Sequence, residues 1–294
     1  MRFKKGIILA AGKGTRLSPS TTVVSKPMLP VYDKPMIYYA LANLMLAGVK
    51  EVLFISTKTD VKIFKKLLGS GKSLGMKFSF TYQKKPIGIP DAISIGKNFI
   101  SKKSFILALA DNLFIGKSFN NTLKKVQSTN KCAAVLAVKT KYPSKSAVIH
   151  FNNKKEILSI IEKPKKPKSK CTIPGLYFYD EKSIDCVKKL VPSKRGELEI
   201  VDVHKFYLSK NELEVFELSS DIKWFDTGDS NEMLEAANYV AKYQKKNKEL
   251  IGSVELIAFQ NKWINKKNFR SLIRKLPNSE YKVCLLYTSD AADE

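Results

Sequence analysis

A glycine-rich turn follows the first apolar run of the chain and carries two cationic side chains. The run at residues 6–10 leads into residues 12–16, which read GKGTR. Glycines allow a backbone to approach an anion closely and to turn its N–H groups toward phosphate oxygens. Lys13 and Arg16 add positive charge, and a guanidinium can bind phosphate through two hydrogen bonds. The turn is therefore predicted to bind a phosphate group, with a plain strand-to-helix turn as the alternative.

This turn differs from two common phosphate-binding patterns. Lys13 precedes Gly14, whereas a Walker A loop requires Ser or Thr after its lysine. Leu17 stands where the dinucleotide fingerprint requires its third glycine. Downstream, Lys26 lies in the proline-containing segment SKPMLP at residues 25–30. We interpret Lys26 as a second cation held over the same phosphates, and a solvated surface lysine is the alternative.

Asp111 follows an apolar run and is a candidate ligand for a divalent cation. The run at residues 105–110 predicts a strand, and α/β sheets bind ligands at the carboxyl ends of their strands. Mg²⁺ prefers one or two carboxylates together with phosphate oxygens and water. We therefore predict that Asp111 is a catalytic residue that binds Mg²⁺. A helix N-cap or turn residue is the alternative.

The elements that must position these residues alternate between strands and helices in the first half of the chain. Apolar runs predict strands at residues 6–10, 52–55, 78–82 and 105–110. Helical periodicity occupies residues 35–48, 61–68 and 91–99. This alternation predicts an α/β fold with a doubly wound, mostly parallel sheet and helices on both faces.

The second half has more strands and fewer intervening helices, so we expect antiparallel strands to join the sheet and make it mixed. Strands are predicted at residues 133–138, 147–151, 157–161 and 176–179. Helices are predicted at residues 183–190, 199–208, 231–245 and 264–276. We divide the chain into an α/β core at residues 1–240 and a C-terminal helical extension at 241–286. Residues 287–294 contain no lysine and are predicted to be a non-native tail.

Composition narrows the classes of function. The 294 residues include 52 Lys and Arg against 27 Asp and Glu, a net charge of +25. That charge invites a nucleic-acid role, but the lysines are spread along the whole chain, so we disfavour it. The two histidines and the four scattered cysteines argue against a His- or Cys-ligated metal cluster. No apolar run is long enough to span a membrane, and no secretory signal is evident, so we expect a cytoplasmic protein.

Several motifs, in collinear order, resemble those of the sugar-1-phosphate nucleotidyltransferase family. Besides GKGTRL at residues 12–17 and SKPMLPVYDKPMIYY at 25–39, they are Gln83 with PIG at 86–88, DN at 111–112, EKP at 162–164, GLYFYD at 175–180, RGELEI at 195–200 and WFDTG at 224–228. The resemblance implies a sheet of nucleotidyltransferase type and Mg²⁺ as cofactor. Within the family it favours the short enzymes that use dTTP and glucose 1-phosphate. Family precedent also implies a homo-tetramer.

The resemblance also implies roles for individual residues. Arg16 and Lys26 would hold the triphosphate, and Asp226 would be the second metal carboxylate beside Asp111. Nucleotide contacts are implied for Leu9, Gly12, Gly14, Thr15, Arg16, Gln83, Gly88 and Asp111. Sugar-phosphate contacts are implied for Ala147, Glu162, Lys163, Tyr177 and Arg195. A buried strand residue is the alternative for Tyr177, a solvated loop for Lys163, and a helix entry for the segment that begins at Arg195.

The sequence departs from the family pattern at positions that bear on specificity. Ala11 replaces a glycine in the phosphate loop, and residues 89–91 read IPD where LAQ is usual. Ala147 stands where a sugar-contacting glycine is expected. Uridylyl transfer or another hexose 1-phosphate therefore stays open. A nucleic-acid-binding protein and a nucleotide-sugar sensor without catalysis are the alternatives from other classes.

Overall fold

The computed structural model describes residues 2–290, in which strands alternate with helices. The strands are β1 (Lys5–Leu9), β2 (Pro30–Val31), β3 (Lys34–Pro35), β4 (Glu51–Ser56), β5 (Lys77–Tyr82), β6 (Phe105–Leu109), β7 (Asn112–Ile115), β8 (Ala133–Lys139), β9 (Ala147–Phe151), β10 (Ile157–Ile161), β11 (Cys171–Ile173), β12 (Leu176–Tyr179), β13 (Leu213–Glu217) and β14 (Lys223–Asp226). The helices are α1 (Ile37–Leu46), α2 (Asp60–Leu68), α3 (Asp91–Ile95), α4 (Lys97–Ile100), α5 (Phe119–Gln127), α6 (Lys182–Val187), α7 (Ile200–Leu208), α8 (Ser230–Asn247), α9 (Val254–Gln260), α10 (Lys266–Lys275) and α11 (Glu280–Asp290).

A 10-stranded mixed sheet forms the centre of the molecule. Its strand order is β10-β9-β11-β8-β12-β6-β1-β4-β5, and β13 pairs with β8 beside this path. Strands β6, β1, β4 and β5 are parallel to one another, whereas β12, β11, β9 and β10 pair in antiparallel fashion. The predicted doubly wound, mixed sheet is confirmed.

Successive side chains of the parallel strands point to opposite faces of the sheet, and both faces are apolar. Ile8 and Phe54 belong to the core cluster that includes α1, α5 and α9. Ile7 and Leu53 belong to the opposite cluster, with α3, α6 and α7. Because successive side chains of a strand point to opposite faces, strands covered on both sides are apolar at every position. This is why the central strands were predictable as continuous apolar runs.

Two antiparallel strand pairs lie outside the large sheet. One joins β7 to β14, with Asn112 opposite Asp226, and the other joins β2 to β3. The first pair brings residues separated by more than a hundred positions in the sequence to one place. It follows directly on Asp111, so it determines which segments meet at the end of β6.

The C-terminal part is helical, as expected, although the proposed boundary at residue 240 falls inside α8. Ser253 caps α9 by accepting a hydrogen bond from the N–H of Leu256 at 3.4 Å, and Asn265 caps α10 in the same way. α11 extends through Asp290, whereas residues 291–294 of the predicted tail lie outside the described residues. The division into core, extension and tail stays a prediction. No helix within residues 2–290 is both long and apolar enough to cross a membrane.

Candidate active site

The glycine-rich turn after β1 packs against the segment that carries Lys26. Gly14 has φ +63°, and a Cβ there would lie 2.9 Å from Thr21 Cγ2 and 3.0 Å from Lys26 Cβ. Thr21 Oγ1 also donates a hydrogen bond of 2.8 Å to the carbonyl oxygen of Gly14. Both the backbone conformation and the close approach therefore require glycine. Gly12, Thr15 and the following arginine remain exposed.

Lys26 and Asp111 form an ion pair at the carboxyl end of β6. Lys26 Nζ lies 2.6 Å from Asp111 Oδ2, and Lys26 is only 7% exposed. Asn112 Nδ2 donates a 2.9 Å hydrogen bond to Asp111 Oδ1. Burial acts to raise the pKa of Asp111, but Lys26 and these hydrogen bonds outweigh it and hold the pKa below its usual value. Lys26 is therefore a buried partner of the carboxylate and not a solvated surface lysine.

The β7–β14 pair places a second carboxylate beside the first. Asp226 ends β14 opposite Asn112, and Thr227 donates two hydrogen bonds to the Asp111 carbonyl, from N at 3.1 Å and from Oγ1 at 3.0 Å. Burial, followed by the charge of Asp111, raises the pKa of Asp226 to about 7. The charge of Asp111 disfavours a second negative charge on Asp226, so an added cation would stabilise both carboxylates.

Arg16 reaches the turn that follows Asp226. Its Nη1 and Nη2 atoms each lie 3.1 Å from the position that a Cβ on Gly228 would occupy. Glu232 Oε2 accepts a 3.0 Å hydrogen bond from the N–H of Gly228, which ties this turn to the N-terminus of α8. The structure thus brings Arg16, Lys26, Asp111 and Asp226 together at one end of the sheet.

These residues fit a magnesium ion. Among residues 2–290 no group of three or more His, Cys, Asp or Glu side chains is arranged to hold a metal, so a metal held by the two aspartates would need substrate oxygens and water as its other ligands. Mg²⁺ is commonly held by one or two carboxylates, with phosphate oxygens and water completing its six ligands. Burial first and the charge of Asp111 second raise the pKa of Asp226, and a bound cation would oppose both effects.

A separate cleft of about 360 Å³ contains three of the predicted sugar-phosphate residues. Glu162 Oε1 lies 3.8 Å from both Lys163 Nζ and Arg195 Nη1. Burial is the largest cause that raises the pKa of Glu162, and the charges of Lys163 and Arg195 oppose it. Arg195 also pairs with Glu197 at 2.6 Å and with Glu199 at 3.7 Å. The cleft therefore combines carboxylates, Glu162 and Glu199 among them, with several Lys and Arg side chains.

The charges of both groups act on Tyr177, a buried residue of β12. It is 4% exposed and packs in the core cluster on the face of the sheet that α3, α6 and α7 cover. Burial raises its pKa well above the ordinary value, and the charges of Glu162, Asp111 and Asp226 contribute. The residue is thus both a core residue and a neighbour of the two charged groups. Ala147, at the start of β9, is also buried and pairs with Ile173.

Lys145 connects the cleft around Glu162 to the group around Asp111 and Asp226. Its Nζ lies 2.6 Å from Glu232 Oε1 and 3.1 Å from Asp229 Oδ2, at the N-terminus of α8. The next residue, Ser146, accepts a 3.2 Å hydrogen bond from the N–H of Lys163. This link was not predicted, because one lysine in a lysine-rich loop gives no sequence signal for its partner.

Gln83 and Gly88 lie at a third position around the end of the sheet. Gln83 Nε2 donates a 2.8 Å hydrogen bond to Asp91 Oδ2, and an ionised carboxylate can only accept. Asp91 therefore fixes which end of the Gln83 amide faces it. Gly88 has φ +124°, and its close backbone neighbour is Leu198, with which it forms a parallel bridge. Leu9, by contrast, simply ends β1, where its carbonyl accepts from the N–H of Ala110 at 3.1 Å.

Asn112 and Glu232 are site residues whose importance the sequence analysis missed. Asn112 was noted only as part of the DN motif, although a polar residue between two apolar runs is a signal in itself. Glu232 follows Asp229 by three residues, and Asp229 caps α8 by accepting from the N–H of Glu232 at 3.0 Å. That spacing resembles a capping box and could have been recognised.

Comparison with known proteins gives a consistent result. The family model described as "Nucleotidyl transferase" matches residues 5–243. The chain is 43% identical over 282 residues to a glucose-1-phosphate thymidylyltransferase of Neisseria meningitidis serogroup A, covering 96% of this chain and 98% of that protein. It is 40% identical over 277 residues to the protein of the same name from Mycobacterium tuberculosis, covering 94% and 96%.

Solved structures agree in fold. A Bacillus anthracis protein assigned as a glucose-1-phosphate thymidylyltransferase, crystallised with a sucrose, has a TM-score of 0.74 and 34% identity and covers 80% of this chain and 94% of its own. A UDP-glucose pyrophosphorylase complexed with UDP-glucose has a TM-score of 0.71 and 27% identity, covering 83% and 99%.

Proposed function

Since the chain belongs to the nucleotidyl transferase family, we propose that it transfers a thymidylyl group from dTTP to glucose 1-phosphate, giving dTDP-glucose and pyrophosphate. The observation that carries this proposal is the meeting of Arg16, Lys26, Asp111 and Asp226 at the end of β6. Relatives at about 40% identity over nearly the whole chain bear the name of this activity.

The reaction needs no nucleophilic side chain. A sugar 1-phosphate is largely dianionic at neutral pH, because its second pKa is about 6. One of its oxygens forms a bond to the α-phosphorus of the triphosphate, and the bond from that phosphorus to the bridging oxygen of pyrophosphate breaks. The protein must hold two polyanions in line and stabilise the charge that moves to the leaving group.

The chain's own residues supply these two effects. Arg16 binds the leaving pyrophosphate and Lys26 the triphosphate, with the turn at residues 12–15 around them. Asp111 and Asp226 would hold Mg²⁺, which when bound polarises the α-phosphate and offsets its negative charge. Because Lys26 is already paired with Asp111 at 2.6 Å, the cation and the carboxylate are positioned before substrate arrives.

The cleft around Glu162 would receive the sugar phosphate. Lys163 and Arg195 would contact its phosphate. Glu162 would accept hydrogen bonds from the sugar hydroxyls, and Tyr177 and Ala147 would border the sugar. Gln83 would contact the base, with the orientation of its amide fixed by Asp91. We also propose, on family precedent, that the protein acts in the cytoplasm as a homo-tetramer.

A pyrophosphate-release assay across four nucleoside triphosphates and several hexose 1-phosphates tests the proposal. We expect release to require both substrates and Mg²⁺, with the highest kcat/KM for dTTP and glucose 1-phosphate. A preference for UTP would move the protein to uridylyl transfer, the activity class of the UDP-glucose pyrophosphorylase with the similar fold. Binding of a nucleotide sugar without release of pyrophosphate would show a sensor and contradict the proposal.

A further inference from the structure

The buried amide of Asn112 joins three segments of the candidate active site. The residue is 3% exposed. Its Nδ2 donates to Asp111 Oδ1 at 2.9 Å, and its Oδ1 accepts from the N–H of Gly175 and from Trp224 Nε1, both at 2.7 Å. These partners belong to the end of β6, the turn before β12, and β14. One side chain therefore fixes the mutual position of all three.

Chemistry determines the orientation of this amide. The backbone N–H of Gly175 and the indole N–H of Trp224 can only donate, so the atom that faces them must be the carbonyl oxygen of Asn112. The amide nitrogen is then directed to Asp111. Gly175 leaves room for this arrangement, since a Cβ there would lie 2.8 Å from Asn112 Nδ2 and 2.7 Å from Leu109 Cδ1.

The two oxygens of Asp111 consequently have different environments. Oδ1 accepts from the neutral amide of Asn112, whereas Oδ2 faces the cationic Lys26. A neutral donor fixes the direction of the carboxylate without cancelling its charge. Groups that hydrogen-bond to a metal ligand in this way orient it, and their loss typically costs metal affinity or activity.

The backbone of Asn112 also positions the second carboxylate, Asp226. Asn112 pairs with Asp226 in the β7–β14 ladder, and its carbonyl oxygen accepts from Asn43 Nδ2 at 3.2 Å. We propose that Asn112 is a positioning residue, which aims Asp111 Oδ2 at the reaction centre and holds Asp111 and Asp226 in register for one divalent cation. This inference rests on the proposed function, although its metal-binding consequence can be measured without turnover.

The variant Asn112→Asp tests the proposal with almost no change in shape. Its carboxyl group can still accept from Gly175 and Trp224, but toward Asp111 Oδ1 it presents either a like charge or a shared proton, where the wild type presents a neutral amide donor. We expect kcat to fall about 10–100-fold and the half-saturating Mg²⁺ concentration to rise, with the KM for hexose 1-phosphate changed less than about threefold. If Asn112 only held the fold together, kcat, the half-saturating Mg²⁺ concentration and the KM for hexose 1-phosphate would all change together.

Gln127→Glu is the matched control. The Gln127 amide also joins separate segments, because its Oε1 accepts from the N–H of Phe3 at 2.9 Å and its Nε2 donates to the carbonyl of Ala47 at 2.8 Å, at the opposite end of β1 from Asp111. This variant should keep kcat within about threefold of the wild type, because it replaces an amide by a carboxyl group and leaves the hydrogen bonds of Asp111 intact. An equal loss in both variants, or a wild-type kcat and Mg²⁺ dependence in Asn112→Asp, would overturn the proposal.

Two further measurements keep the result decisive. If Asn112→Asp does not fold, Asn112→Ser is judged by the same kcat, Mg²⁺ and KM criteria, since it removes the amide without adding charge. Binding of Mn²⁺, followed from the electron paramagnetic resonance of the free ion, should be weaker in the folded variant than in the wild type, and equal binding would overturn the role of Asn112. If the wild type releases no pyrophosphate, the proposed function fails, while the Mn²⁺ comparison still decides the role of Asn112.

Discussion

At the scale of single residues, Asp111 is the group whose removal should harm the reaction most. It pairs with Lys26, accepts from Asn112 and adjoins Asp226. We expect Asp111→Asn to lower kcat by at least about 100-fold while the protein stays folded, because the variant removes a metal ligand's charge. Steady-state kinetics at saturating Mg²⁺, with circular dichroism as the folding check, measure this.

Asp185→Asn is the control for that variant. Asp185 is an exposed carboxylate on α6, 2.6 Å from Lys188, so its loss removes the same charge at a distant surface. It should leave kcat unchanged. Near-wild-type turnover of the Asp111 variant would show that the metal site lies elsewhere.

Arg16 should act mainly on the transition state, since it faces the turn after Asp226 and carries the charge assigned to the leaving pyrophosphate. We expect Arg16→Ala to lower kcat/KM by an amount equivalent to about 2–4 kcal/mol, as for loss of one preorganised donor. Arg274→Ala, on the exposed face of α10, is the matched control. An unchanged kcat/KM in the Arg16 variant would remove this residue from the mechanism.

At the scale of elements, the sequence predicted the parallel strands well and the short connecting strands poorly. β1, β4 and β6 are covered on both faces, and their unbroken apolar character is a local signal. β7 and β14 are four residues each, and each is defined by the other across a long stretch of sequence. No local sequence pattern indicates such a pairing, so the placement of Asp226 beside Asp111 was predicted from family resemblance alone.

Some helices are also not evident from local sequence patterns. The predicted helix at residues 91–99 is divided at Gly96 into α3 and α4. A Cβ on Gly96 would lie 2.5 Å from Ile7 Cδ1, so the glycine there allows the helix to pack closely on β1. α5 and α9 were not predicted, because the first is rich in polar residues and the second is only seven residues long. The phosphate loop and Asp111 were predictable from residue type and Asp226 from the family resemblance, whereas Asn112 and Lys145 depend on tertiary partners.

The bridge between Gly88 and Leu198 ties the segment after β5 to the segment before α7. Leu198 donates a 2.7 Å hydrogen bond to the carbonyl of Ile87, and a Cβ on Gly88 would collide with the Leu198 backbone. We expect Gly88→Ala to lower the free energy of unfolding by about 1–3 kcal/mol, since it adds a steric clash to the strain of φ +124°. Urea denaturation measures this loss.

Gly196→Ala measures the cost of an alanine at positive φ where no clash occurs. Gly196 also has positive φ, +74°, but no atom lies within 4 Å of its Cβ position, so this variant carries backbone strain without a clash. Its loss of stability should be the smaller one. Equal losses would show that the approach to Leu198 is not a constraint.

At the scale of the whole molecule, buried His204 should make folding sensitive to acid. Burial lowers the pKa of His204 from 6.5 to about 3, and its Nδ1 contacts the Tyr179 hydroxyl at 2.9 Å. Between these two pKa values the unfolded chain binds a proton that the folded protein excludes. Stability is therefore complete above pH 6.5 and falls as the pH is lowered, by up to about 1.4 kcal/mol per pH unit.

We expect His204→Gln to make the free energy of unfolding less dependent on pH between 6 and 5, because the titrating group is gone while an acceptor for Tyr179 remains. Urea denaturation at several pH values measures the slope. His150→Gln, at a half-exposed position on β9, controls for the loss of a histidine. Parallel slopes for wild type and His204→Gln would contradict the assigned cause.

The net charge of +25 also belongs to this scale. Polyanionic substrates are attracted to such a protein, and a dedicated nucleic-acid role is not needed to explain the charge. Nucleic-acid binding through this charge would show a linear fall of log K with log salt, at nearly one unit per phosphate neutralised, and a specific site would in addition prefer one sequence. Weak retention without sequence preference is what we expect.

If charged groups from distant parts of the chain meet at one centre, they should transfer a nucleotidyl group directly to a sugar phosphate. Incubation with dTTP labelled at the α-phosphate follows this transfer. We expect the label to pass into a nucleotide sugar only when glucose 1-phosphate and Mg²⁺ are both present, and we expect Asp111→Asn nearly to abolish the transfer. Absence of labelled nucleotide sugar with the wild type, for any hexose 1-phosphate and triphosphate, would contradict this expectation.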